Sequence, residues 1–189
     1  MKTIRDIENE LTPHLISEEK LVWSGRPKTG FVLRGSDAYL IPFSLAWSGI
    51  AIFFQTGSFF AKAPAQFKLV GIPFLCVAFY ITIGRFLVDM RKRSRTVYGI
   101  TPNRIIIISG IFFREVKSVN IHALPDLSIH QRTDKSGTIT LGQTDPRYVM
   151  TEAMHWPGVK PTPRLELIPD VKRVFELILD LQRQRDTKD

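Results

Sequence analysis

Hydrophobic positions along the chain fall into three regimes. From Ala38 to Ala61 no residue is charged, and the stretch from Tyr39 to Phe54 is apolar around the whole helical circumference. At 1.5 Å per residue such a run is long enough to cross a hydrocarbon layer of about 30 Å. A second run, Leu69 to Gly84, is shorter; Phe86, Leu87 and Val88 extend it once Lys68 and Arg85 reach outward along their apolar stems. Pro42 and Pro73 are expected near helix entrances, where a missing N–H costs little. Tyr39, Trp47, Phe59, Phe60, Tyr80 and Phe86 lie near the ends, as aromatic belts do. The pattern predicts a helical hairpin over 38–90, with helices at about 39–58 and 67–88. Two buried helices of a soluble core are the alternative, and the length of the first run argues against it.

The second regime begins at Thr96, where short β-rich runs alternate with turn signals. Thr96 to Thr101 meets Pro102-Asn103, and Arg104 to Ser109 meets Gly110, a compact β-hairpin pattern. Further strands are predicted over 114–121, 126–131, 138–141 and 164–168. The third regime is helical: Val171, Val174, Phe175, Ile178 and Leu181 recur at helical spacing behind the capping residue Asp170. Before the first apolar run, Ile4, Ile7 and Leu11 predict a short amphipathic helix, and Glu19 to Pro27 reads as a strand ending in a turn. Trp23 has two open readings, a headgroup anchor or a packing residue of the β-rich part. The fold class is thus α+β, in three parts: an N-terminal segment 1–37, the helical hairpin 38–90 and a domain 96–185.

Charge sharpens this picture. The net charge of +8 points to an anionic neighbour, either nucleic acid or a membrane surface. Position decides between them: Lys20, Arg26, Lys28 and Arg34 precede the first apolar run, Arg91, Lys92, Arg93 and Arg95 follow the second, and only Lys62 lies between. Cations are retained on the cytoplasmic side, so both termini are expected in the cytoplasm, in a multi-pass protein of the inner cell membrane. Nucleic acid is then not needed as a partner. The first dozen residues carry Asp6, Glu8 and Glu10 and no apolar core segment, so no cleavable secretory signal is expected. The single cysteine, Cys76, excludes a disulfide framework within one chain.

Candidate chemistry is sparse. Asp134-Lys-Ser-Gly-Thr resembles the phosphorylated-aspartate motif of P-type ATPases, but Leu127 to Arg132 before it alternates like a half-exposed strand, and Asp and Gly equally favour an ordinary turn. His14, His122, His130 and His155 show no metal-ligand spacing, and no glycine-rich phosphate loop is present. No enzyme, metal or cofactor is expected. Three sets of residues carry non-catalytic hypotheses. Arg91, Lys92, Arg93 and Arg95 are an expected anionic-lipid contact, each cation contributing about 1 kcal/mol beside an anionic leaflet. Arg85 and Asp89, four apart, are either a polar pair facing a lumen or partner helix, or an interfacial arginine beside a solvated aspartate. Met150, Met154 and Trp156 lie in the long segment 142–163, either a partner-binding loop or a partly disordered one.

Tyr98-Gly-Ile-Thr101, Arg104, the apolar strand after it, Gly110, Gly84-Arg-Phe86 and Trp23-Ser-Gly-Arg-Pro27 together resemble the bacterial PH-like membrane proteins, over most of the chain. The resemblance implies a PH-like antiparallel barrel or sandwich, partly open and closed by the C-terminal helix, fused to a two-helix transmembrane hairpin. It implies a non-catalytic interaction or scaffold module at the inner membrane face, with membrane lipids and an unidentified protein as partners. Two departures stand out: the segment 142–163 is longer than a β-hairpin needs, and no basic phosphoinositide-type loop joins the first two strands. The alternative function is a subunit of a small oligomeric transport or channel assembly, a homo-oligomer packed around Arg85 and Asp89.

Overall fold

The computed structural model describes residues 4–33, 37–111, 113–124, 126–143 and 162–186. Among them are five helices: α1 (Ile4–Leu11), α2 (Asp37–Phe60), α3 (Ala65–Phe79), α4 (Arg85–Ser94) and α5 (Val171–Asp186). A π turn, Tyr80–Gly84, joins α3 to α4. One antiparallel sheet runs in the order β1 (Trp23–Gly25), β2 (Val97–Ile100), β3 (Arg104–Ser109), β4 (Glu115–Asn120); a second holds β5 (Leu127–Gln131), β6 (Gly137–Leu141) and β7 (Arg164–Ile168). The chain divides into two units: the sheets with α1 and α5 (4–30, 90–143 and 162–186), and a helical unit (31–33 and 37–89).

In the sheet unit the unbroken isoleucine run Ile105–Ile108 follows from a strand covered on both faces, since alternate side chains of a strand point to opposite sides. Ile105 and Ile107, with Tyr98 and Ile100, enter the main core beside Ile139, Leu141 and Leu165 of the second sheet and Val174 and Ile178 of α5. Ile106 and Ile108, with Val97, face the other way and are covered by Ile7 and Leu11 of α1. The two sheets share this core but no ladder, so among the described residues the strands form two packed antiparallel sheets and not a closed barrel. Two side-chain bonds tie the layers together. The Glu166 N–H donates to the Tyr98 hydroxyl (3.0 Å), and Gln182 Nε2 donates to the Ile121 carbonyl (2.9 Å).

The residues before the first apolar run are not a separate segment. Trp23, Ser24 and Gly25 pair with Ile100, Gly99 and Tyr98, so β1 is the edge strand of the first sheet although residues 26–96 intervene in sequence. Trp23 packs against the main core, which settles its two readings in favour of the sheets. In the helical unit, α2 and the continuous helix Ala65–Ser94 are each long and apolar enough to cross a membrane. Both begin earlier than their hydrophobic runs. Pro73 therefore lies inside α3 and not at its entrance; the Leu69 carbonyl, four residues earlier, has no N–H to meet there.

Leu11 is fully buried while Ile16, just beyond the helix, is two-thirds exposed. Leu11→Ala is expected to destabilise the sheet unit by about 2–4 kcal/mol, and Ile16→Ala by less than about 0.5 kcal/mol. Thermal unfolding of the detergent-solubilised chain measures both.

Candidate functional site

The helical unit has a polar seam. Among the buried or half-buried positions are Asp37, Leu40, Ser44, Ser48 and Gln55 on α2, and Gly71, Ala78, Thr82, Arg85 and Asp89 on the facing helix. Spacings of three, four and seven put each set on one helical face. At one end Arg85 Nη2 forms an ion pair with Asp37 Oδ1 at 3.1 Å, and the two residues are 3% and 6% exposed. The guanidinium also lies over the Phe86 ring, 4.4 Å from its centroid. Midway, the Ser48 and Thr82 hydroxyls are 2.8 Å apart, and Thr82 donates to the Ala78 carbonyl. At the other end Gln55 Nε2 donates to the Lys68 carbonyl at 3.1 Å. Gly71 permits that rung, because a Cβ there would overlap the Gln55 amide.

The Arg85 and Asp89 side chains are both buried, and the partner seen for Arg85 is Asp37 on α2. In the sequence Asp37 only flanks an apolar run, and its partner is distant along the chain. Ser48, Gln55 and Thr82 were legible only as isolated polar residues inside apolar runs, where such residues serve as interhelical glue.

The basic run at the end of α4 is divided by the fold. Arg91 is exposed and Lys92 half-buried, but Arg93 is buried and donates to the Lys28 (3.1 Å) and Gly30 (2.8 Å) carbonyls. Arg93 thus holds the backbone beyond β1. Arg95 is exposed and donates to the Ile111 carbonyl in the turn between β3 and β4. Met150, Met154 and Trp156, with His155, lie outside the described residues.

A second charged cluster fastens the N-terminal region to the sheet. Glu19 accepts from Arg104 Nη2 at 2.7 Å, from Arg104 Nε at 3.0 Å and from the Thr101 hydroxyl at 2.7 Å, while Arg104 also donates to the His14 carbonyl. The hydrogen bonds from Arg104, aided by Thr101 and the Ile16 N–H, outweigh burial and hold the Glu19 carboxyl at about 2, below its ordinary 4.5. Glu19 in turn raises Arg104. Asp134 sits in the β5–β6 turn, where its Oδ1 accepts from the Ser136 hydroxyl (2.6 Å) and N–H (3.2 Å) and its Oδ2 from Lys28 Nζ (2.6 Å). Lys28 first, then Ser136, lower its carboxyl. The Asp134 carboxylate is thus engaged by its own turn and by a lysine. Among the described residues no three His, Cys, Asp or Glu side chains gather as a metal site.

Because the Glu19 carboxyl is depressed in the folded state, its contribution is complete above about pH 4.5 and is lost as pH falls toward about 2. Glu19→Gln is expected to lose about 3 kcal/mol at most at neutral pH and to show a flatter stability profile between those limits, measured by denaturant unfolding. Arg85→Met removes the cation seen beside buried Asp37 and is expected to destabilise the helical unit by about 3–5 kcal/mol; adding Asp37→Asn should restore most of that, read from thermal stability in detergent.

A family model described as Bacterial PH domain matches residues 43–182. The match takes in most of the helical unit, strands β2 to β7 and α5 as far as Gln182, while Trp23-Ser-Gly-Arg-Pro27 lies ahead of it. No curated protein and no solved structure matches the chain. With more than half of its length matched, across the sheets and closing helix described above, the chain belongs to the bacterial PH domain family.

Proposed function

We propose that the chain is an integral membrane protein whose α2 and Ala65–Ser94 helices cross the inner membrane, keeping the PH-like sheets on the cytoplasmic face as a non-catalytic interaction module. The observation that carries this reading is the inverted polarity of the helical unit. Its seam holds Asp37, Ser48, Gln55, Thr82 and Arg85, while Ile50, Phe53, Phe60 and Leu69 are 68%, 81%, 88% and 64% exposed. In water this distribution is unfavourable on both counts, since each exposed large apolar side chain forgoes about 1.5–3 kcal/mol of burial. In lipid it is the favourable one, because side-chain hydrogen bonds then form inside and hydrocarbon meets hydrocarbon outside.

Connectivity supports the topology independently of charge. β1 precedes the helical unit and β2 follows it, and the two strands are hydrogen-bonded neighbours. A membrane insertion between them must return to the side it left, which two crossings do. The cations flanking the helices, against Lys62 alone in the turn, favour the cytoplasm for that side.

The family is generally one of interaction modules, and the segment 142–163, with Met150, Met154 and Trp156, is the proposed protein-contact surface. The transport-assembly alternative draws no support from Arg85, whose partner Asp37 belongs to the same chain.

Single cysteines in a Cys76→Ala background test the topology. A membrane-impermeant maleimide is expected to label Lys62→Cys in spheroplasts and Lys172→Cys only after lysis, with the protein resisting alkaline extraction. Equal labelling of both sites, or release by alkali, contradicts the reading.

A further inference from the structure

We propose that a groove between α2 and α3, lying wholly within the helical unit, binds a lipid-soluble quinone. The groove has a volume of about 570 Å³, and Trp47, Phe54, Phe67 and Phe74 supply four aromatic rings to its lining, with Gln66 as the one amide. A concavity of that size, apolar and aromatic with few polar groups, is the ordinary form of a small-molecule site. No charged residue lines it, so a charged ligand would enter without a counter-ion and a neutral one is favoured. Trp47 and Phe74 join the two helices at one end, with ring centroids 6.4 Å apart and planes 27° from parallel. Gln66 lies eight residues before Phe74, about 12 Å along the axis at 1.5 Å per residue. The groove is thus long enough for a ring with part of a tail.

Trp47 identifies the ligand class. It is the eleventh of the 24 residues of α2, so it sits near the middle of the crossing and not in an aromatic belt at the helix end. Its indole N–H has no hydrogen-bond partner among the described residues, whereas an indole removed from water usually has one. Hydrocarbon offers no acceptor there; a carbonyl oxygen on a ligand does. Trp47 is 36% exposed, so it can be reached from the groove it lines. The rings then discriminate among neutral ligands. An acyl chain gains little in the groove, because bulk lipid already surrounds it with hydrocarbon. A plain arene stacks but leaves the N–H unpaired. In a quinone two carbonyls withdraw electrons from the ring, so its positive face complements the negative faces of Trp47 and Phe74 while one oxygen accepts from the indole. The cost of the unpaired N–H rests on the membrane reading above; the lining and the ring geometry do not.

Equilibrium dialysis of the full chain in detergent micelles against empty micelles tests the site, because partition into detergent cancels. The probes are duroquinone, whose fully methylated ring does not alkylate the exposed Cys76, and durene, the same ring without carbonyl oxygens. Duroquinone is expected to accumulate in excess to one molecule per chain, and durene to bind at least about tenfold more weakly. Trp47→Phe keeps an aromatic ring beside Phe74 without the N–H; it is expected to weaken duroquinone about tenfold while durene stays within about twofold. Ala51→Phe, at another lining position, fills the groove and is expected to abolish binding with helix content unchanged. A several-fold excess of phosphatidylcholine is expected to leave duroquinone bound. No excess of duroquinone over empty micelles, equal binding of durene, or binding that both variants leave unchanged overturns the site. Displacement by phosphatidylcholine assigns the groove to acyl chains and overturns the quinone. These outcomes are read in micelles and do not depend on the cysteine labelling, so failure of the groove and failure of the topology are distinguishable.

Discussion

The three residue pairs that join β1 to β2, Trp23 with Ile100, Ser24 with Gly99 and Gly25 with Tyr98, constrain the rest of the chain. A sheet whose neighbouring strands are separated by the whole helical unit can close only if the inserted residues leave and return at the same edge. Two antiparallel helices joined by a short turn satisfy that; a single crossing does not. The pairing is reinforced on both sides of the sheet. Trp23 packs into the main core, and α1 covers Val97, Ile106 and Ile108 from the opposite face. Residues beyond β1 are held in addition by Arg93, through the Lys28 and Gly30 carbonyls, and by the Lys28 N–H bonded to the Leu167 carbonyl at 2.8 Å.

Polar groups are distributed according to what each unit must satisfy. The sheet unit buries isoleucine, leucine and valine and keeps its ion pairs, Glu19 with Arg104 and Arg26 with Glu10, near the surface. The helical unit does the reverse, with apolar side chains outward and an Asp37–Arg85 pair within. A buried ion pair adds little net stability over an apolar pair of the same shape, yet loss of one partner is strongly unfavourable. Its consequence is therefore alignment: with the Ser48–Thr82 and Gln55–Lys68 rungs, it fixes the register of two helices whose outer faces are interchangeable.

Much of this was legible in the residues themselves. The strands β2 to β7 announce themselves by apolar runs punctuated at Pro102-Asn103, Gly110 and Asp134 to Gly137, and α5 by its 3.6-residue period, because these signals are local. What escaped depends on contacts distant in sequence. Glu19 to Pro27 reads as a strand ending in a turn, but its partner β2 lies beyond the helices. A run of four basic residues does not reveal that Arg93 meets carbonyls while Arg91 meets solvent. Asp37 and Glu10 read as ordinary flanking acids until the fold brings arginines to them.

Hydrogen exchange of the full chain in lipid nanodiscs tests whether β1 and β2 pair across the intervening helices. The Val22 N–H donates to the Ile100 carbonyl at 2.8 Å. Residues 22–25 are accordingly predicted to exchange slowly and to lose protection together with 97–100 as denaturant is added. Exchange of 22–25 at the rate of an open chain, while 97–109 stays protected, would rule out that pairing.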